Sequence, residues 1–282
     1  MEIFEPTYLN EIGGRSNNED SIYPSKGQAD TNDRLFVVCD GVGGSEKGEV
    51  ASSLICSFMP RYFSFAEHNV SSKVFLEDGL KYVEFHMIDH IKSRPETRGM
   101  ASTLTLLHLS ETNEALVGWV GDSRIYHIRD GHIKFKSKDH SEVQGLIDMG
   151  EITEEEALTH PRRNVITRAV NGEKPARIDQ SIIKDIREND YFLLCTDGIL
   201  ETLREEEFST LFTRDRRVED IRDSIFFKAK GNTKDNFSMY LIKVDDLNNG
   251  KKNSNPALIS LKKLFENLVT KRQPRKDRSL ND

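Results

Sequence analysis

The stretch Leu35-Phe36-Val37-Val38-Cys39-Asp40-Gly41-Val42-Gly43-Gly44 sets an apolar run directly against an aspartate and three glycines among four residues. A second stretch, Tyr191-Phe192-Leu193-Leu194-Cys195-Thr196-Asp197-Gly198, repeats the design. Each reads as a buried strand that runs into an Asp-Gly step. Glycine at that point lets the backbone turn sharply and approach a ligand closely. Taken singly, each step is most simply a tight turn. As neighbouring strands, the two would place both carboxylates at one edge of a sheet.

Further β-prone runs occupy residues 103–109, 115–120, 124–128, 178–183 and 237–244. Several are separated by only a few residues, as in antiparallel hairpins. Two long helices are predicted between the first strand and the next. One covers residues 48–65, where Pro60 is expected to bend or break it. The other covers 73–92, with Val74, Leu76, Leu80, Val83, Ile88 and Ile91 in a roughly helical repeat. Shorter helices fit residues 142–149, 162–170, 205–212 and 218–230. Strands in runs and helices in pairs argue for a layered α+β fold, not a doubly wound sheet.

Composition narrows the function. The 282 residues carry a net charge of −7. Nine Lys and Arg against three Asp and Glu give residues 247–282 a charge of +6, which leaves −13 on residues 1–246. A body this acidic argues against a nucleic-acid partner and raises the question of whether some carboxylates converge on a cation. No apolar run comes near the ~18 residues of a membrane span. The N-terminus shows no secretory signal, and Cys39, Cys56 and Cys195 have no metal-finger spacing. They read as reduced core thiols of a cytoplasmic protein. After Val244 the chain becomes a polar linker, then a short amphipathic helix over 257–269, then a basic tail expected to be disordered. That helix is read as packed on its own domain or loosely attached, with docking to a partner or an anionic membrane surface as the alternative.

Three polar segments complete the set: Arg15-Ser16-Asn17-Asn18-Glu19-Asp20, Val120-Gly121-Asp122-Ser123-Arg124, and Gly231-Asn232-Thr233-Lys234-Asp235-Asn236. An arginine can hold two phosphate oxygens through its planar fork, and Asp20 could join a cation cluster. Each segment alone is an ordinary loop or turn. In this order, together with Gly48-Glu49-Val50-Ala51-Ser52, Ala101-Ser102-Thr103 and Thr196-Asp197-Gly198, they resemble the signatures of the metal-dependent protein phosphatases (type 2C, PPM), in particular the bacterial serine/threonine branch. Asp139-His140-Ser141 through residues 160–169 is similar to the flap of that family. The resemblance spans about residues 8–244, with the flap near 139–175.

The resemblance implies a catalytic domain over 1–246 built as a four-layer αββα sandwich: two packed antiparallel β-sheets flanked by pairs of helices. It implies two divalent ions, Mn²⁺ or Mg²⁺. By motif position Asp40 would bridge them, Gly41 would offer its carbonyl, Asp197 and Asp235 would hold one ion, and Asp20 would act through water. Asp122 matches the position that supports a third, weaker ion. Oxygen ligands of this kind suit hard cations. The implied reaction is hydrolysis of phosphoserine or phosphothreonine by a water bridging the ions, with Arg15 neutralising and binding the phosphate. Asp40, Asp197, Asp235 and Arg15 are thus the expected catalytic set.

Two departures stand out. Val42 occupies the place of a histidine that serves eukaryotic members as general acid, which leaves protonation of the leaving group to metal-bound water or another group. Ala101-Ser102-Thr103 replaces the usual Gly-Thr-Thr. The expected partners are phosphoproteins, including a serine/threonine kinase, met by a monomeric signalling enzyme. Rival readings are a phosphoprotein-docking module without catalysis and a two-metal nuclease. Intact metal aspartates argue against the first, and the acidic body against the second. Trp119 is read as core, and His140 and His160 as satisfied or exposed histidines.

Overall fold

A computed structural model describes residues 1–42, 47–65 and 73–247. Gly43 and Gly44, the expected helix at 257–269 and the basic tail lie outside the described residues. In chain order the first strands are β1 Thr7–Glu11, β2 Ser21–Tyr23, β3 Leu35–Cys39, β4 Gly41–Val42, β5 Ala101–Ser102 and β6 Leu104–Leu109. They are followed by β7 Ala115–Val120, β8 Arg124–Arg129, β9 His132–Lys136, β10 Asp179–Ile183, β11 Tyr191–Cys195 and β12 Phe237–Lys243. The helices are α1 Gly48–Ser64, α2 Lys73–Ser93, α3 Glu142–Asp148, α4 Glu154–Thr159, α5 Asp197–Leu200, α6 Phe208–Leu211 and α7 Val218–Ala229.

Two five-stranded sheets form, in the orders β1-β12-β11-β8-β9 and β10-β7-β6-β3-β2, with β4 and β5 as a short separate pair. All of these pairings are antiparallel. Strand periodicity explains the layering. On β3, Phe36 and Val38 enter the core between the sheets, whereas Val37 and Cys39 face α1 and α2. On β11, Phe192 and Leu194 join the same central core, while Tyr191, Leu193 and Cys195 pack toward α6 and α7. On β12, Tyr240 and Ile242 point inward and Met239 and Leu241 outward. These strands are buried on both faces, which is why their sequences show no alternation. Each such large apolar side chain contributes about 1.5–3 kcal/mol relative to exposure. The expected four-layer α+β sandwich is therefore the observed one.

Several local expectations change. Pro60 lies inside α1 without ending it. Ile55 and Met59 are fully buried against the sheet and Phe58 stacks on His86 of α2 at 3.9 Å, burial that outweighs the missing backbone bond. Residues 162–170 do not form the expected helix. Val165, Ile166 and Thr167 are β-branched, and the segment instead makes isolated bridges, Ser141 to Ile166 and Ser102 to Val170. The expected helix at 205–212 divides into a 3₁₀ turn, Glu205–Glu207, and α6. Helix α4, unforeseen, opens with a capping box between Thr153 and Glu156. Strands β1, β2 and β9 were also not evident in the sequence: β2 has three residues, and β9 alternates exposed and half-buried positions at a sheet edge.

Candidate metal centre

Antiparallel pairing brings five aspartates to one edge of the sandwich. Asp40 follows β3, Asp122 lies in the turn from β7 to β8, and Asp197 begins α5 just beyond β11. Asp20 immediately precedes β2, and Asp235 stands two residues before β12.

Each is held by its backbone surroundings. The Asp40 amide donates to Thr103 Oγ1 at 2.9 Å, Thr103 N donates back to Asp40 O at 2.8 Å, and Ser102 Oγ donates to the same carbonyl at 2.8 Å. The hydroxyls of the Ala-Ser-Thr segment therefore hold this aspartate in place, and the alanine in place of glycine leaves that function intact. Asn236 anchors the loop before β2. Its Oδ1 accepts from Glu19 N at 2.9 Å, and its Nδ2 donates to Ile12 O and Asn17 O, both at 2.7 Å. Glu201 secures the other loop by accepting from Thr233 Oγ1 and Lys234 N, both at 2.7 Å. Gly41 donates its amide to Glu19 O at 3.1 Å and lies against Gly48 at the start of α1. A Cβ on either glycine would collide with the other's backbone, so the Gly-Gly contact lets α1 close on the site.

The electrostatics are those of unneutralised carboxylates. Burial, then the charges of Asp20, Asp197, Asp122 and Asp235, push Asp40 well above the ordinary carboxylate range. Burial raises Asp20 to about 8, against hydrogen bonds from Ser238 and Thr196 and with repulsion from Asp197 and Asp235. Asp122 is raised to about 7 by burial and Asp197. Asp197 is raised to about 6 by burial and Asp235, opposed by a hydrogen bond with Asp40. Asp20 Oδ1 and Asp197 Oδ1 are buried without any hydrogen-bond partner, as is Glu49 Oε2. Asp20 Oδ2 accepts from Thr196 Oγ1 at 3.0 Å. Arg15 Nη2 donates to Asp235 Oδ2 at 2.6 Å, with the arginine side chain 59 % exposed at the rim.

The structure thus assembles Arg15, Asp20, Asp40, Gly41, Asp122, Asp197 and Asp235 in one region. Among the described residues, no three His, Cys, Asp or Glu side chains close into a ready-made metal cage. The carboxylates converge without closing. Hard divalent cations that keep several waters need no closed cage, and two orphaned, buried carboxylate oxygens are what such cations would satisfy. The residues fit a divalent-cation site on that ground.

Sequence reasoning did not single out Asn236 and Glu201 as loop anchors, nor Glu19, whose carboxyl is raised by burial and by Glu49. The Asp235-Asn236 pairing was the available signal for the first. Burial pushes the Cys195 thiol up to about 12 and the Cys39 thiol well above the ordinary thiol range, so both are held as core thiols, whereas Cys56 is half-buried. Trp119 is buried, and its Nε1 donates to Lys138 O at 2.8 Å. His140 is buried and satisfied, as read from sequence, with burial lowering its pKa.

Comparison with known proteins agrees with this fold. The profile of the family described as Protein phosphatase 2C matches residues 11–222. The serine/threonine protein phosphatase PstP of Mycobacterium tuberculosis is 30 % identical over 237 residues, 84 % of this chain. This chain spans only 44 % of that relative's length. The serine/threonine phosphatase stp of Listeria monocytogenes is 26 % identical, covering 82 % of this chain and 92 % of that protein. Among solved structures, Stp1 of Staphylococcus aureus superimposes with a TM-score of 0.75 at 30 % identity, covering 86 % of this chain and 96 % of that one. The catalytic domain of PstP in complex with two manganese ions gives a TM-score of 0.72 at 28 % identity, covering 87 % of this chain and 100 % of that one.

Proposed function

The chain belongs to the Protein phosphatase 2C family, and from that premise we propose that it hydrolyses phosphoserine and phosphothreonine in proteins with the help of divalent cations. The observation that carries this reading is the convergence of five buried or half-buried aspartates from five separate connections, two of them with orphaned oxygens. Asp40 would bridge two ions, Asp197 and Asp235 would share one, Gly41 would offer its carbonyl and Asp20 would act through water. Asp122 would support a third. Bound Mn²⁺ or Mg²⁺ supplies an activated water at neutral pH and neutralises phosphate charge.

The chain's own groups do the rest. Arg15 presents its guanidinium at the rim, where it can orient phosphate oxygens bidentately once they compete with Asp235. Thr103 and Ser102 fix the Asp40 backbone, so the carboxylate is oriented before substrate arrives. The Thr196 hydroxyl orients Asp20 from below. Val42 has no proton to give, which leaves protonation of the departing serine or threonine oxygen to water or to another group.

The substrates are read as phosphoproteins, with a serine/threonine kinase as the opposing activity. Three free cysteines suit a reducing compartment, and we read the site of action as the cytoplasm. Among the described residues, no helix is long and apolar enough to cross a membrane. The test is release of phosphate from a phosphothreonine peptide by the purified full chain. Turnover is expected with Mn²⁺ and is expected to stop with EDTA. Undiminished turnover in EDTA, or none with either cation, would overturn the reading.

A further inference from the structure

His140 stands outside the carboxylate cluster, yet both its backbone and its ring grip the turn that carries Asp122. The His140 amide donates to Gly121 O at 2.9 Å, and the Gly121 amide donates to His140 Nδ1 at 3.0 Å. With Nδ1 accepting from Gly121, Nε2 carries the proton of the neutral ring and lies between Asp179 Oδ2 at 3.2 Å, which can accept it, and Arg168 Nη1 at 3.0 Å. Asp179 Oδ1 accepts from Arg168 Nη1 at 2.9 Å, and the same Nη1 donates to Arg177 O at 3.1 Å. His140 O accepts from Thr167 N at 2.8 Å, and Trp119 lies nearly parallel to the imidazole. The ring is therefore fixed by the two ends of the flap segment and by β10.

On its other side the turn leads to the bridging position. Gly121 adopts a φ of +102°, and a Cβ there would strike the Thr103 side chain. Ser123 Oγ and Thr103 Oγ1 are hydrogen-bonded at 2.7 Å, and Thr103 Oγ1 accepts the Asp40 amide at 2.9 Å. Unbroken contacts thus run from Arg168 and Asp179 through His140 and Gly121 to Ser123, Thr103 and Asp40.

We propose that His140 is a positioning residue that fixes Asp122 through Gly121 and ties the flap to the Asp40 backbone through Ser123 and Thr103. This rests on the phosphatase reading. Its role differs from that of a merely packed histidine because two of its hydrogen bonds end on the turn of a candidate ligand. Outer contacts of this kind orient the groups that hold a metal, and their loss typically weakens binding about 10–100-fold.

The experiment titrates Mn²⁺ into the EDTA-stripped full chain by calorimetry and measures peptide turnover on the same samples. Phe in His140→Phe keeps a ring against Trp119 but can neither accept from Gly121 nor donate to Asp179. It is expected to weaken Mn²⁺ binding about tenfold or more and to lower kcat with KM for the peptide unchanged. In His140→Asn the side-chain oxygen can take the place of Nδ1, and most of the Mn²⁺ affinity should return. Ser123→Ala, which leaves the ring untouched, should weaken Mn²⁺ binding in the same direction. Wild-type affinity in a folded His140→Phe, or equal impairment in the Phe and Asn variants, would overturn the proposal. If His140→Phe does not fold, wild-type Mn²⁺ binding by Ser123→Ala overturns it and weakened binding supports it. Failure of the unaltered chain to bind Mn²⁺ would instead overturn the phosphatase reading.

Discussion

The two ends of β11 each place an aspartate in the protein, and the two aspartates have opposite electrostatics. Asp190, just before the strand, is fully buried and fully bonded. Its Oδ1 accepts from Arg129 Nε at 2.8 Å, and its Oδ2 accepts from Arg129 Nη2 at 2.8 Å and Arg187 N at 2.8 Å and meets His127 Nε2 at 2.7 Å. Burial alone would raise its pKa, but Arg129 and His127 pull it below the ordinary value. Asp197, just after the strand, is raised by burial and by Asp235, and one of its oxygens has no partner. The first carboxylate completes its neutralisation within the chain. The second leaves it unfinished, together with Asp20, Asp40 and Asp122. On the proposed function, the buried carboxylates that the fold does not neutralise mark the end of the sandwich that serves chemistry.

This contrast can be broken most sharply at Asp40. Asp40→Asn should reduce phosphate release from a phosphothreonine peptide by about a thousandfold. The same variant, freed of metal, should melt at least about 3 °C above the metal-free wild type at pH 8, because a repelling charge has gone. A melting temperature that falls instead would show that Asp40 is a structural carboxylate like Asp190. At the opposite end, Asp190→Asn should cost about 3–5 kcal/mol in denaturant unfolding, since Arg129 loses its buried partner. Its turnover per folded molecule should stay near wild type.

The pH dependence carries opposite signs at the two ends. Raised carboxylates bind more protons in the folded state than in the unfolded one, so their contribution is present below about pH 4 and is lost as pH rises. For Asp197, Asp122 and Asp20 that loss runs through about 6, 7 and 8. Metal-free protein should therefore lose stability from these groups between pH 4 and 8, and the gain in melting temperature on adding Mn²⁺ should grow over that window. Asp190, whose pKa is lowered, contributes above about pH 4 and loses its contribution only as pH falls further. A Mn²⁺ gain that is flat with pH would break the assignment. The smallest effect is expected at Thr196→Val, which removes the hydroxyl donating to Asp20 and should weaken Mn²⁺ binding about tenfold in calorimetry.

How much of this was legible in the sequence depended on burial. Strands β3, β11 and β12 are covered on both faces, so their apolar runs announced them, and with them the positions of Asp40, Asp197 and Asp235. Edge strands such as β9 carry Lys134 and Lys136 among half-buried positions and send a weaker signal. The segment at 162–170 misled because its apolar residues pair with distant backbone instead of lining a helix. At the site, the aspartates were evident as ordered motifs, but the groups that hold them were not. Asn236 reaches across 224 positions to Ile12, and His140 reaches Gly121 across 19, contacts that depend on tertiary placement alone.

The central claim is that the unneutralised edge is completed by divalent cations. Its most direct test is a calorimetric titration of Mn²⁺ into the EDTA-stripped full chain at pH 8, with Asp40→Asn alongside. At least about two ions should bind the wild-type chain, and the variant should lose the tighter binding. An unaltered chain that binds no Mn²⁺, or a variant that binds it as the wild type does, would contradict the account.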